Sequence, residues 1–266
     1  MEKPSVAPCP LPEPGFAQHE VQLWCANVGD FSSELASLQA SLAPDELARA
    51  GAYRFAVDKV RYVTARGLLR RLLGHYLGLP AAALQFRYGP QGRPALCALR
   101  HPRAPHFNLS HSDEMIVYAV SERHELLGVD VERSRALPDM LDISARFFSK
   151  RESATLAALP SGEQQDAFFR CWTRKEAAVK ALGTGLSHPL DNFDVTLVAG
   201  APAQLHWHAA PAPALAAWTL HGFEPAAGYI AALAVGAPHP TFACRNLAAL
   251  GSMRGAGRLH QSSLAG

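Results

Sequence analysis

Asp130 and Glu132, two residues apart in the segment LLGVDVE, are the clearest candidates for chemistry in this chain. On a strand, successive side chains alternate. These two carboxylates then leave one face while Val129 and Val131 leave the other. Neighbouring carboxylates raise each other's pKa unless a cation neutralises them. Magnesium suits such a pair, because it takes hard oxygen ligands and shares its shell with water and substrate phosphates. Taken alone, the pair suits an ordinary charged strand face better than a metal site. The segment WTRKEAAVKAL, Trp172 to Leu182, is the second candidate. On a helix, Trp172, Glu176 and Lys180 recur at i, i+4 and i+8 and share one face, although a Glu–Lys pair beside a core tryptophan is common. In NLSHS, Asn108 to Ser112, the hydroxyl of Ser110 and the ring of His111 are suited to meet phosphate oxygens. A Ser–His hydrolase is the weaker reading: there is no GxSxG elbow, and no acid is placed to orient His111. Arg61 and Arg93 (in QGRP) are candidate bidentate phosphate donors.

Several elements must hold these residues in place. Val21–Asn27 reads as a strand, Leu42–Ala50 as a short helix and Asp58–Leu77 as a long helix. The long helix has apolar residues at near-helical spacing, with Gly78 and Pro80 as its stop. Phe86–Leu99 reads as a turn with strand-like flanks. Met115–Ser121 and Leu126–Glu132 are expected to form a hairpin around Glu122–Glu125. Residues 141–159 and 163–182 read as helical. The second of these has its apolar face on Phe168, Phe169, Trp172 and Val179, and Gly183 ends it. Three short strands follow at 204–208, 216–221 and 229–235. Each half runs strand, long helix, short strands, a pattern of two related halves that the letters themselves do not repeat.

Composition narrows the function class. The chain has 266 residues, is 48% hydrophobic and only 18% charged, with a net charge of +2. That supports a sizeable core and lacks the basic footprint of a nucleic-acid binder. Cys9, Cys25, Cys97, Cys171 and Cys244 make no CxxC and fit a reducing compartment. Prolines interrupt residues 1–18, leaving no apolar stretch of secretory length. No apolar run approaches the span of a membrane. The expectation is a cytoplasmic protein that engages neither membrane nor nucleic acid.

The ordered set QGRPAL, NLSHS, LLGVDVE and WTRKEAAVKALGTGL resembles the 4′-phosphopantetheinyl transferase superfamily, and within it the double-length type that activates surfactin synthetase. The resemblance covers roughly residues 21–236. It implies an α+β fold of two pseudo-symmetric subdomains, each a small antiparallel sheet packed with a long helix. The expected limits are a Pro-rich flexible start at 1–18, subdomains at 19–113 and 114–238, and a flexible tail at 239–266. It also implies transfer of the phosphopantetheine arm of coenzyme A to a serine of an apo acyl or peptidyl carrier protein. Magnesium, or manganese in its place, would be held by Asp130, Glu132 and Glu176. Glu176 would take the serine proton, and Lys180 would neutralise phosphate charge. Ser110, His111, Arg61 and Arg93 would contact the phosphates of the coenzyme. Family members often carry lysine where Arg61 and Arg93 stand, and a one-turn slip would nominate Arg54 instead of Arg61. Fusion of both halves in one chain implies a monomer.

Two rivals differ in class. A metal-dependent nuclease would use Asp-x-Glu with a later lysine, but such enzymes tend to keep the lysine two residues from an acid on the same strand. A coenzyme-binding module without transfer activity would have no reason to keep the whole acidic set. His206 and His208 alternate onto one strand face with no third ligand nearby.

Overall fold

The computed structural model describes residues 20–89, 92–183, 188–208 and 217–248. The expected Pro-rich start at 1–18 and the tail beyond residue 248 lie outside the described residues. Two halves follow one plan. The first begins with strand β1 (Glu20–Asn27), then short helices α1 (Leu35–Ala40) and α2 (Pro44–Gly51) and the long helix α3 (Ala56–Leu77). A ribbon follows, β2 (Phe86–Tyr88) with β3 (Pro94–Leu96), then β4 (His106–Ser112) and β5 (Met115–Ser121). The second half repeats the order: β6 (Leu127–Arg133), α4 (Met140–Phe147), α5 (Lys150–Ala158) and long helix α6 (Ser161–Leu182). Its ribbon is β7 (Phe193–Val195) with β8 (Leu205–Trp207), followed by β9 (Thr219–Phe223) and β10 (Tyr229–Val235). Both long helices have 22 residues, and both end on a glycine in the left-handed region, Gly78 (φ 64°) and Gly183 (φ 72°). Only glycine takes that conformation without a Cβ penalty, so each helix stops where its glycine stands.

Strand pairing departs from expectation in two places. Residues 115–121 and 127–133 do not form a hairpin. β5 instead pairs antiparallel with β4 and β1, whereas β6 pairs with β10. The chain changes sheet between Ser121 and Leu127, so the hydrogen-bonded first half runs past the expected limit at 113. The physical reason is that β5 is apolar on both faces and fills the middle of a sheet. The second correction concerns the tail expected at 239–266. Thr241–Asn246 forms strand β11, parallel to β1, giving the order β11-β1-β5-β4. Its amphipathic TFACRN offered no strong strand signal, yet it covers the otherwise open edge of β1. The first sheet is therefore mixed rather than antiparallel, while β6-β10-β9 is antiparallel throughout.

The layers follow from alternation. Met115, Val117 and Ala119 of β5 meet Val129 and Val131 of β6 and Ala231 and Leu233 of β10 in a core between the two sheets. The opposite faces carry Trp24, Ile116 and Tyr118 against α3, and Ala232 and Ala234 against α6. The order of layers is helix, sheet, sheet, helix. No described helix is long and apolar enough to cross a membrane.

Candidate functional site

The site lies where β6 meets α6. Val129 and Val131 point into the core between the sheets, which turns Asp130 and Glu132 toward the helix as alternation requires. Gly128 permits the close approach: a Cβ there would sit 2.0 Å from the Ala177 carbonyl oxygen and 2.4 Å from the Ala181 nitrogen. One turn of helix separates Glu176 from Lys180, so both side chains come over the acidic strand. Lys180 Nζ lies 2.6 Å from Asp130 Oδ1 and 3.0 Å from Ser110 Oγ, and Ser110 in turn donates to Asp130 Oδ1 at 2.8 Å.

The third element is β4. Asn108, Ser110 and Ser112 share one face of this strand and reach across to β6, whose edge nearest β4 has no backbone ladder. Asn108 Oδ1 accepts from the Val129 amide at 3.0 Å. Ser112 Oγ donates to Glu132 Oε2 at 2.8 Å and accepts from the Arg133 amide at 3.2 Å. Side chains thus do for these two sheet edges what backbone groups do inside a sheet, satisfying buried amides that would otherwise be orphaned. The strand they hold is the one that carries the acids.

Electrostatics mark the site as built for a partner. Burial pushes the Glu132 carboxyl up, and Asp130 pushes it further, against the hydrogen bond from Ser112 and the charges of Lys180 and Arg135. Burial also raises Glu176, with Asp130 and Glu132 adding to the rise and Lys180 opposing it. Asp130 Oδ2 and Glu176 Oε1 are both buried without a hydrogen-bond partner among the described residues. Two unpartnered carboxylate oxygens in one acidic cluster are costly unless something binds them. Among the described residues no three acidic, histidine or cysteine side chains form a ready-made ion cage. The donor set nevertheless fits magnesium, which is usually held by one or two carboxylates with water and substrate phosphates completing the shell.

The remaining sequence candidates fall around this centre. Ser110 is buried, and its hydroxyl is committed within the acidic cluster. His111 follows on the outward face and is open to solvent on one side. The protein crowded around its ring, then Lys180 and Arg61, lower its pKa, so the neutral ring is favoured. Arg61 shares the surroundings of His111 but is paired, with Nη2 2.9 Å from Glu114 Oε1 and looser contacts to Asp58 and Asp113. Arg93 does something the sequence did not announce. Its Nη1 donates to the Lys180 carbonyl at 2.8 Å and its Nη2 to the Leu127 carbonyl at 3.1 Å, tying the end of α6 to the start of β6. It also borders a cavity of about 360 Å³ with His106 and Leu182.

Lys175 matches its motif but faces away from the acids. It is fully buried, 2.8 Å from Glu152 Oε2, and donates to the Leu190 and Phe193 carbonyls at 2.6 Å each. It anchors the fold. His208 Nε2 lies 2.9 Å from Asp194, in an ordinary pair. Sequence reasoning passed over Asn108, Ser112 and Gly128. The period-2 row of polar residues at 108, 110 and 112 was the available signal. The closeness that demands Gly128 is visible only in three dimensions.

Comparison with known proteins bears on this arrangement. Residues 126–234 match the model of the 4′-phosphopantetheinyl transferase superfamily, and residues 24–123 match the N-terminal model of 4′-phosphopantetheinyl transferase. The chain is 36% identical over 228 residues to the 4′-phosphopantetheinyl transferase HetI of Nostoc sp., covering 85% of this chain and 92% of that protein. It is 33% identical over 156 residues to the 4′-phosphopantetheinyl transferase Sfp of Bacillus subtilis, covering 59% of this chain and 66% of that one. Among solved structures, the holo-[acyl-carrier-protein] synthase of Thermotoga maritima overlays 41% of this chain and 61% of its own, at TM-score 0.33 and 20% identity, a likeness too partial to carry weight.

Proposed function

The chain belongs to the 4′-phosphopantetheinyl transferase superfamily, and from that premise we propose how its own residues carry the transfer of phosphopantetheine from coenzyme A to a carrier protein. Coenzyme A is the donor substrate and the apo carrier the acceptor. The carrier serine oxygen bonds to the β-phosphorus, the pyrophosphate bridge breaks, and 3′,5′-ADP leaves. The serine proton passes to Glu176, whose carboxyl is pushed up by burial and then by Asp130, which makes it a stronger proton acceptor than a free carboxylate. Lys180 turns from Asp130 toward the phosphates and offsets the charge that develops on their oxygens. Asp130, Glu132 and Glu176 would hold magnesium, or manganese in its place, and the ion would supply further charge neutralisation at the pyrophosphate. Ser112 and Asn108 keep the acidic strand in position, and Arg93 fixes the helix end that carries Lys180. Arg61 and His111 would meet phosphates on the outer side, with Arg61 giving up part of its pairing to Glu114. We place the protein in the cytoplasm as a monomer, since one chain already supplies both halves of the cleft.

The observation that carries this reading is the pair of unpartnered oxygens, Asp130 Oδ2 and Glu176 Oε1, beside Lys180. Intact-protein mass spectrometry tests it. Apo carriers of the fatty acid, polyketide and nonribosomal peptide types are incubated with coenzyme A, magnesium and either the wild type or Glu176→Ala. A gain of one phosphopantetheine arm that needs both the divalent ion and Glu176 is expected. A full gain in the variant, or in the presence of a chelator, would overturn the assigned roles.

A further inference from the structure

The two halves supply an internal control for every charged residue on the long helices. Counting back from the glycine caps, Arg170 and Arg174 of α6 stand where Ala65 and Leu69 stand on α3. Both first-half residues are core, with Leu69 fully buried. The fold therefore does not demand arginine at these positions. The facing strands differ in the complementary sense. In the sheet register, Gly222 and Ala232 take the places of Leu109 and Tyr118. The second half has given up side-chain volume opposite the helix and put two guanidinium groups into the space. The same kind of departure marks the acidic cluster: by register, Asp130 and Glu132 replace Trp24 and Ala26.

The space that results is a notch of about 140 Å³ bordered by Arg170, Thr173, Arg174, Gly222 and Glu224. It lies at the β9 edge of the sheet, opposite the β6 edge that carries the acids. Arg174 is only 7% exposed. Its Nη1 donates to the Thr196 carbonyl, and Arg170 Nε donates to the Leu197 carbonyl at 2.9 Å. A guanidinium has five N–H donors, so among the described residues most on each arginine are uncommitted. Neither arginine has an acidic partner among the described residues. Burial lowers the pKa of Arg174, and the charge of Arg170 lowers it further. A buried cation without a counter-charge is costly, and paired guanidinium forks match the geometry of a tetrahedral oxyanion.

We propose that Arg170 and Arg174, with Gly222 leaving the room, form a second anion site that takes a phosphate-type oxyanion, separate from the transfer cleft. Its volume is below the roughly 300 Å³ at which pockets for larger ligands begin, so it suits a small anion or a single phosphate group. Glu224 at the rim acts against the bound anion. Free phosphate and a phosphate monoester share this chemistry.

The experiment uses the full chain with coenzyme A in excess, so that the transfer cleft stays filled. Inorganic phosphate is titrated while thermal unfolding is followed, and O-phosphoserine is titrated in a parallel series. A saturable rise in melting temperature is expected for the wild type. Arg170→Gln and Arg174→Gln should each weaken that response about tenfold or more, the worth of a charge-assisted hydrogen bond. Glu224→Gln should tighten it. Gly222→Ala keeps both charges but puts a Cβ 3.0 Å from Arg174 Nη2, so it should weaken binding with little change in unfolding without phosphate. It stands in if the arginine variants fold poorly. Tighter binding of O-phosphoserine than of phosphate would identify a monoester ligand, and the reverse the free ion. A phosphate response equal in the wild type, Gly222→Ala and the foldable arginine variants would overturn the site and leave the arginines as braces for residues 196–197.

Discussion

The two halves of this molecule share a skeleton and differ in chemistry. Each has a short helix whose third residue is a buried glutamate that accepts from the amide of its N-cap residue, Glu46 from Ala43 in α2 and Glu152 from Ser149 in α5. Each glutamate receives a buried cation from the long helix. Arg66 Nε and Arg70 Nε reach Glu46 at 2.9 and 2.6 Å, and Lys175 Nζ reaches Glu152 at 2.8 Å. Each cation then holds the chain that leaves the helix. Arg70 Nη1 donates to the Ala81 and Leu84 carbonyls, and Lys175 Nζ to those of Leu190 and Phe193. Arg70 and Lys175 stand at the same position before the glycine caps. One residue further on the likeness ends: Arg71 in the first half answers to Glu176 in the second, and His75 to Lys180. The hub is what both halves need in order to fold. The acids stand in one half only, the half to which we assign the chemistry.

The comparison breaks hardest at Glu176. Glu176→Gln should lower carrier modification by about 10²–10⁴-fold, the usual worth of a positioned proton acceptor. Arg71→Gln, its first-half counterpart, should leave the rate within a factor of a few. A mass-shift time course on one carrier reads both. Equal losses would mean that the first half contributes to the chemistry from a position this comparison treats as structural.

The hubs should behave alike where the acids do not. Removing one member of a buried ion pair leaves the other uncompensated, at a cost of about 3–5 kcal/mol. Lys175→Met, and the double change Arg66→Met with Arg70→Met that strips both cations from Glu46, should therefore both lower the urea midpoint strongly, each in its own half. If Lys175→Met cost activity alone, with the midpoint unchanged, its place in the skeleton would be wrong. A smaller effect is expected at Gly128. Alanine there drives a Cβ into the Ala177 carbonyl, and overpacking of this kind costs about 1–3 kcal/mol. Because it also pushes α6 off the acidic strand, dependence on divalent ion should shift to higher concentration. Arg71→Gln should cause no such shift.

Much of this skeleton was legible in the sequence, and the parts that were not share a cause. The long helices, their glycine stops and the facing of Asp130 and Glu132 came from local periodicity, which depends on the segment itself. The hairpin expected at 115–132 failed because pairing depends on partners distant in sequence. β5 found β1 and β6 found β10, each across roughly a hundred residues. β11 was missed for the same reason, since only the open edge of β1 gives TFACRN a role. In the site, the acids and Lys180 stood out by type and spacing. Ser112 and Asn108 did not, because a hydroxyl and an amide acquire meaning only from the strand edge they face. Arg93 was read by its charge, whereas its contacts are to two carbonyls.

The smallest expected effect concerns pH, and its sign follows from burial. Glu132 and Glu176 have folded-state pKa values raised above those of free carboxyls, by burial first and by Asp130 next. Such groups favour the folded state when protonated. Their contribution is fully present below the unfolded pKa and is lost as pH rises through the raised folded value. Without divalent ion or coenzyme, the protein should therefore lose this part of its stability as pH rises above the ordinary carboxylate range. Glu176→Gln removes one buried charge from the cluster, so its melting temperature should pull ahead of the wild type as pH rises, while its activity is gone. Arg71→Gln lies outside the cluster and should show no such divergence. Added magnesium should close the gap by stabilising the wild type alone, because the cation offsets the repulsion that the substitution deletes. A gap that stayed flat with pH would mean the carboxylates are not held against their own charge, and the second half would then differ from the first in residue type only.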